Sequence, residues 1–169
     1  MDKKTQSQIG RLFKTYIVDA LSFMAMGLFC SLILGLIIKQ IALIPGLDFL
    51  ADIAAVLQSA PVVGGSIGLA IALGLKRDPL VTISAIAAGA LGYQFGGPIG
   101  AYLASIVGVE TGSFVSKRTP VDIIITPLFV VIAGGLFAKY CCAPINEWVM
   151  SFGEVINRAT ALNPFIMGV

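Results

Sequence analysis

The chain has 169 residues, of which 57% are hydrophobic and 12% charged, with 11 Lys and Arg against 9 Asp and Glu, no histidine and 3 cysteines. Soluble domains are ~45–50% apolar and ~25% charged, so this excess, gathered into long uncharged runs, marks a polypeptide built for a lipid bilayer. Basic residues scattered between the runs exclude the dense cationic patch of a nucleic-acid binder. Cys30 and the adjacent Cys141 and Cys142 make neither a disulfide framework nor a metal-ligand spacing. No cofactor, no metal site and no catalytic constellation is therefore expected.

In chain order, residues 1–15 carry Lys3, Lys4, Arg11 and Lys14 and are read as a cytoplasmic segment. The apolar run behind them is too long for the h-region of a signal peptide. It predicts a first span over about 16–38 that closes at Lys39, with Phe13 and Tyr16 at the headgroup zone. Asp19 lies just before its uncharged part, within reach of Lys14. A second span is expected over about 53–75, ended by Lys76-Arg77-Asp78. The third uncharged run, from Pro79 to Val109, exceeds one ordinary span. Asp78 fits as its cap and Pro79 as its first helical residue. Gly96-Gly97-Pro98 cannot continue a straight helix, which splits the run into helices over about 79–94 and 98–114. A re-entrant loop is the rival interpretation. Thr119-Pro120 starts a further span over about 120–138, with Asp122 placed to stabilise its free N–H groups and Pro127 as a kink.

The segment 144–162 differs in kind. Ile145, Trp148, Val149, Phe152, Val155, Ile156 and Ala159 follow the spacing of one helix face, and Glu147, Glu154 and Arg158 take the other. It is expected to be an amphipathic helix on a surface or against a partner. Asn163-Pro164 then opens an apolar stretch, residues 163–169, read as the start of a further span of a longer architecture. The predicted fold class is thus all-α: a polytopic helical membrane protein with about five transmembrane helices and one amphipathic interfacial helix. Basic residues favour the cytoplasmic side of short loops. Lys3, Lys4, Arg11 and Lys14 place the N-terminus inside, while four and five crossings share out the later charges equally well.

Three features are candidates for function. Gly64, Gly68 and Ala72 have the small-xxx-small spacing by which membrane helices approach closely. Gln94, Gly96, Gly97 and Pro98 sit at the broken helix, where exposed backbone groups bind substrates in some transporters; a tight hairpin between two short spans is the plainer reading. Glu110 is an acid near membrane depth and a candidate for contact with substrate or an ion.

Four segments taken together resemble a known family: 16–29 (YIVDALSFMAMGLF), 95–102 (FGGPIGAY), 117–123 (KRTPVDI) and 163–168 (NPFIMG). It is the second family of phosphotransferase-system enzyme IIC domains, which includes proteins named as perfringolysin regulators. The resemblance covers nearly the whole chain and implies a permease component of a phosphoenolpyruvate-dependent sugar phosphotransferase system in the bacterial inner membrane. It implies a homodimer that passes a small-molecule sugar to a phosphorylated cytoplasmic subunit, which Lys76-Arg77 or Lys117-Arg118 would face. Members continue for about as long again. In the better-understood permeases of the wider superfamily the sugar-binding Glu and His lie in the later half, so no binding residue carries over by motif. The alternatives are a non-transport membrane regulator or scaffold that recruits a partner through 144–162, and an unrelated secondary carrier or channel.

Overall fold

The computed structural model describes residues 14–118 and 121–162. Thr119-Pro120 and the stretch 163–169, each read above as a helix start, lie outside the described residues, as does the basic segment before Lys14. The described residues are helical throughout apart from their connections, with no strand.

Helix α1 (Lys14–Ile41) is apolar along 28 residues. It widens into π-helical turns at Lys14–Asp19 and Phe29–Ile33. In the second of them Ser31 returns its hydroxyl to Gly27 O at 2.9 Å. After the turn at Pro45-Gly46, helix α2 (Phe49–Leu57) and helix α3 (Ala60–Gly74) meet at a 51° bend. The run expected as one span from 53 to 75 is therefore broken. Pro61 explains the break: it has no N–H for the carbonyl of Leu57, and its ring would strike that carbonyl in a continuing helix. Ser59 is accordingly extended, and Pro61 opens the first turn of α3. At its other end α3 closes with paired bonds from Lys76 N to Leu73 O and Arg77 N to Ala72 O, with Lys76 left-handed at φ 53°.

Helix α4 (Pro79–Val115) comprises 37 residues but is not straight. Gly97 has φ 60° and ψ −155°, a conformation essentially restricted to glycine, and the chain reverses there. The two halves return along each other. A Cβ on Gly92 would stand 2.5 Å from Gly100 O, Gly108 faces Ala88 and Gly112 faces Val81. The feet of the hairpin are tied, because Asp78 accepts from Ser116 Oγ at 3.1 Å and from Lys117 Nζ at 2.5 Å. Each half is about 27 Å long at ~1.5 Å per residue, near the ~30 Å of the hydrocarbon core.

Asp78 does precede Pro79 as the N-cap, but its carboxylate makes no capping bond. It is spent on Lys117 and Ser116 instead. The Lys117 ammonium, the largest influence, holds the Asp78 carboxyl below its ordinary range. A carboxyl depressed in the folded state stabilises fully above its unfolded pKa and loses that contribution as pH falls through the folded value. The thermal midpoint in detergent should therefore separate wild type from Asp78→Asn at neutral pH. The two should converge at pH values below the ordinary carboxylate range; a pH-independent difference would contradict the tie.

Helix α5 (Asp122–Phe137) begins at Asp122, whose side chain accepts from Thr126 Oγ1 and caps no backbone group. Its expected role at the helix start is taken over by this local side-chain pair. α5 runs without interruption through a wide turn, Ala138–Cys142, into helix α6 (Ala143–Leu162). Lys139, expected to end a span, lies inside that turn. The amphipathic segment is helical but is the continuation of α5, not a separate element. Trp148, Met150, Phe152 and Val155 are exposed on it.

Small residues set the packing. Gly27 of α1 meets Ser66 and Ile67 of α3, and Gly64 of α3 lies against Gly89 O, where a Cβ would be 2.5 Å away. Gly134 of α5 meets Ala88 and Ala104 of the hairpin. The α4 hairpin therefore sits between α3 and α5. Val63, Ile67, Ile71, Val81, Val109 and Val130 fill the interior, while Ile123, Ile124, Leu128 and Ile132 face outward. An exterior as apolar as the interior suits a lipid surround, where helices associate through close contact of small residues.

Candidate functional site

Polar chemistry concentrates at the feet of the hairpin. α1 is antiparallel to α3, so Tyr16 stands beside the α3–α4 connection. Tyr16 Oη donates to Glu110 Oε1 at 2.8 Å, and Arg77 pairs with the same oxygen through Nη2. Arg77 Nη2 also reaches Tyr16 Oη at 3.5 Å, and Tyr102 Oη donates to the Tyr16 carbonyl. Helix α1, through Tyr16, and the α3–α4 connection, through Arg77, thus converge on one carboxylate of α4. The Arg77 and Glu110 side chains are 30% and 28% exposed, which places the pair in a medium well below water in dielectric. Ser113, Phe114 and Arg118 complete a cleft of about 230 Å³ beside it.

The candidate residues do not form one site. Glu110 lies at the feet, whereas Gln94, Gly96, Gly97 and Pro98 are at the tip, about 20 Å away along the helix. Gln94 is exposed. A Cβ on Gly96 would stand 2.6 Å from Cys142 Cβ, and Gly97 faces Asn146 Oδ1, so the tip is seated on the α5–α6 turn. Gly64 and Gly68 lie on the α3 face toward the hairpin, with Ala72 buried beside Val81 and Val109. Asp19 has no ion pair with Lys14; among the described residues the ion pairs are Arg77–Glu110 and Lys117–Asp78.

Arg77 as the partner of Glu110 was not legible by motif. The available signal was general: an acid near membrane depth needs a counterion, and Arg77 and Arg118 lie in the connections flanking the hairpin. Tyr16 read only as an interfacial aromatic.

Apolar helices of membrane length, packed through glycine and alanine and facing outward with isoleucine, leucine and phenylalanine, define a helical membrane protein. Three helices have the necessary length and composition, Lys14–Ile41, Pro79–Val115 and Asp122–Val155, and the bent α2–α3 pair makes a fourth if taken as one span. A family model described as Phosphotransferase system, EIIC, matches residues 18–169, and the chain belongs to that family. No curated protein and no solved structure matches it. Membership gives the chain a permease-like place in a phosphotransferase system, at the membrane.

Proposed function

We propose that this chain contributes to moving a sugar across the bacterial cell membrane as the permease component of a phosphoenolpyruvate-dependent phosphotransferase system. Its partners in this reading are a second copy of the chain and a phosphorylated cytoplasmic subunit. Family membership over residues 18–169 is the observation that carries it. The chain performs no covalent step; the phosphoryl group comes from the partner.

The proposal includes five passes with the N-terminus inside. The hairpin tip lies level with Cys142, about 30 Å along the helix from Asp122, which favours a hairpin of full bilayer height over a re-entrant loop. Lys14, Lys76, Arg77, Lys117 and Arg118 then share the cytoplasmic end, in line with the preference of basic residues for that side. Glu110 belongs to that end, and the seated tip with Gln94, Gly96, Gly97 and Pro98 to the other. Glu110 and the tip residues remain the proposed points of sugar contact.

The exposed apolar side chains of α6, Trp148 and Phe152 among them, favour a second reading, a membrane regulator that recruits a partner. Uptake of labelled sugars into vesicles bearing the full-length product separates the two. Accumulation of at least one sugar, dependent on a phosphorylated partner subunit, is expected. No uptake over a broad sugar panel would overturn the permease reading and support the regulator.

A further inference from the structure

The cleft at the hairpin feet differs from the other grooves of the described residues, which are lined mainly by apolar side chains such as Phe23, Met26 and Leu69. It combines Arg77, Glu110, Ser113, Phe114 and Arg118 in about 230 Å³. The charge of Arg77 is already matched by Glu110. Arg118 has no ionic partner among the described residues, so the cleft keeps one uncompensated guanidinium. A guanidinium presents paired N–H donors that fit phosphate oxygens bidentately.

The remaining polar atoms select for more than charge. Ser113 gives its hydroxyl proton to Val109 O at 2.7 Å, which leaves its oxygen as an acceptor. Glu110 uses Oε1 for both Tyr16 and Arg77, which leaves Oε2 as a second acceptor. Beside one phosphate-binding cation stand two groups that accept hydrogen bonds from hydroxyls. The chemistry fitted is a phosphate ester that carries free hydroxyls. Phe114 is 68% exposed on the same rim. Its ring sits at the end of a span, where it can lie against the glycerol and first methylenes of a lipid. Basic recesses between helices at a membrane face bind anionic headgroups in this way.

We propose that the Arg77–Glu110–Arg118 cleft is a binding site for the headgroup of an anionic phospholipid, of the phosphatidylglycerol type. The Arg118 guanidinium holds the phosphodiester, Glu110 and Ser113 accept from the headgroup hydroxyls, and Phe114 covers the glycerol backbone. The proposal rests on the membrane reading and not on sugar transport; a lipid held there would occupy Glu110 and leave sugar contact to the tip residues, and its binding is read without any sugar.

The test uses the full chain purified in a neutral detergent and titrated with phosphatidylglycerol or phosphatidylcholine, with bound lipid counted by native mass spectrometry. Phosphatidylglycerol should bind at least about fivefold more tightly, and Arg118→Gln should remove about that factor. Lys139→Gln, in the wide turn near the hairpin tip, should leave binding unchanged, and unaltered melting curves would show that both variants fold. Displacement of the lipid by millimolar glycerol 3-phosphate would overturn the lipid assignment and give the site to a soluble phosphate ester. Equal binding of the two lipids, or no effect of Arg118→Gln, would overturn the site itself.

Discussion

Gly68→Leu is expected to abolish the folded protein, and Gly68→Ala to lower its thermal midpoint in detergent clearly. A Cβ at this position would collide with the Ala85 carbonyl oxygen and stand 3.0 Å from Ala85 C and 3.1 Å from Ser105 Oγ. Two of those atoms are backbone of a packed helix, so no side chain can rotate away to make room. Overpacking costs about 1–3 kcal/mol for the added methyl of alanine, a large part of a total stability of about 5–15 kcal/mol, and leucine brings three further carbons against the same backbone. The cost falls on the contact that holds the fold together. Lipid is as apolar as the helices, so α3 and the hairpin associate through short-range packing and gain little from exclusion of water. Leucine would force the two apart along their length. Gly153→Ala is the matched control, because a Cβ there meets nothing within 4 Å, and its midpoint should hold or rise slightly from better helix propensity. Wild-type yield and melting for Gly68→Leu would show that α3 does not lie on the hairpin as described.

The second large effect is expected at the ion pair. Arg77→Ala leaves the Glu110 carboxylate partly buried with only Tyr16 to hydrogen-bond it. Breaking a fully buried pair costs ~3–5 kcal/mol. Since Arg77 and Glu110 keep 30% and 28% exposure, solvent screening reduces this to about 1–3 kcal/mol. Glu110→Ala strands the guanidinium in the same way. The double variant strands neither charge, so it should be less destabilised than the sum of the singles by about 1–2 kcal/mol. Glu110→Gln, which keeps an acceptor for Tyr16, should be milder than Glu110→Ala. Melting of the four proteins in one detergent measures the cycle. Strict additivity would mean that Arg77 and Glu110 do not interact.

The two sets of variants probe different depths of the molecule. Gly68 lies where α3 touches the hairpin, and its effect is expected to be steric and insensitive to salt. The ion pair lies at the feet of the hairpin and is partly exposed, so the coupling should weaken as salt rises.

Residues that act through their own stretch of backbone were legible in the sequence. Gly96-Gly97-Pro98 marked a break because proline cannot donate and adjacent glycines do not hold a helix, and Gly97 is where the chain reverses. Pro61 carried the same kind of information, and the bend it imposes on the 53–75 run went unread. The helical character of 144–162 followed from its apolar spacing, but its fusion to α5 did not. A lysine inside the Ala138–Cys142 turn looks like a stop signal when only composition is considered.

Polar assignments fared differently. Asp78 and Asp122 stand at helix starts and were natural caps, yet each gives its carboxylate to side chains instead. A cap is a local bond that competes with whatever the fold brings near, and Lys117 is 39 positions from Asp78. Glu110 was singled out as an unexplained acid, but its partners Arg77 and Tyr16 lie 33 and 94 positions away.

By itself the amino-acid sequence determined that the chain is helical, that its helices belong in lipid and where the backbone must turn. Each of these depends on run length, proline and glycine, which act within a few residues. The tertiary structure alone decided that the hairpin packs between α3 and α5, which carboxylate meets which cation, and that among the described residues one arginine is left over beside a polar cleft. Those outcomes depend on which helix faces meet, and many combinations of faces are compatible with the same order of apolar runs.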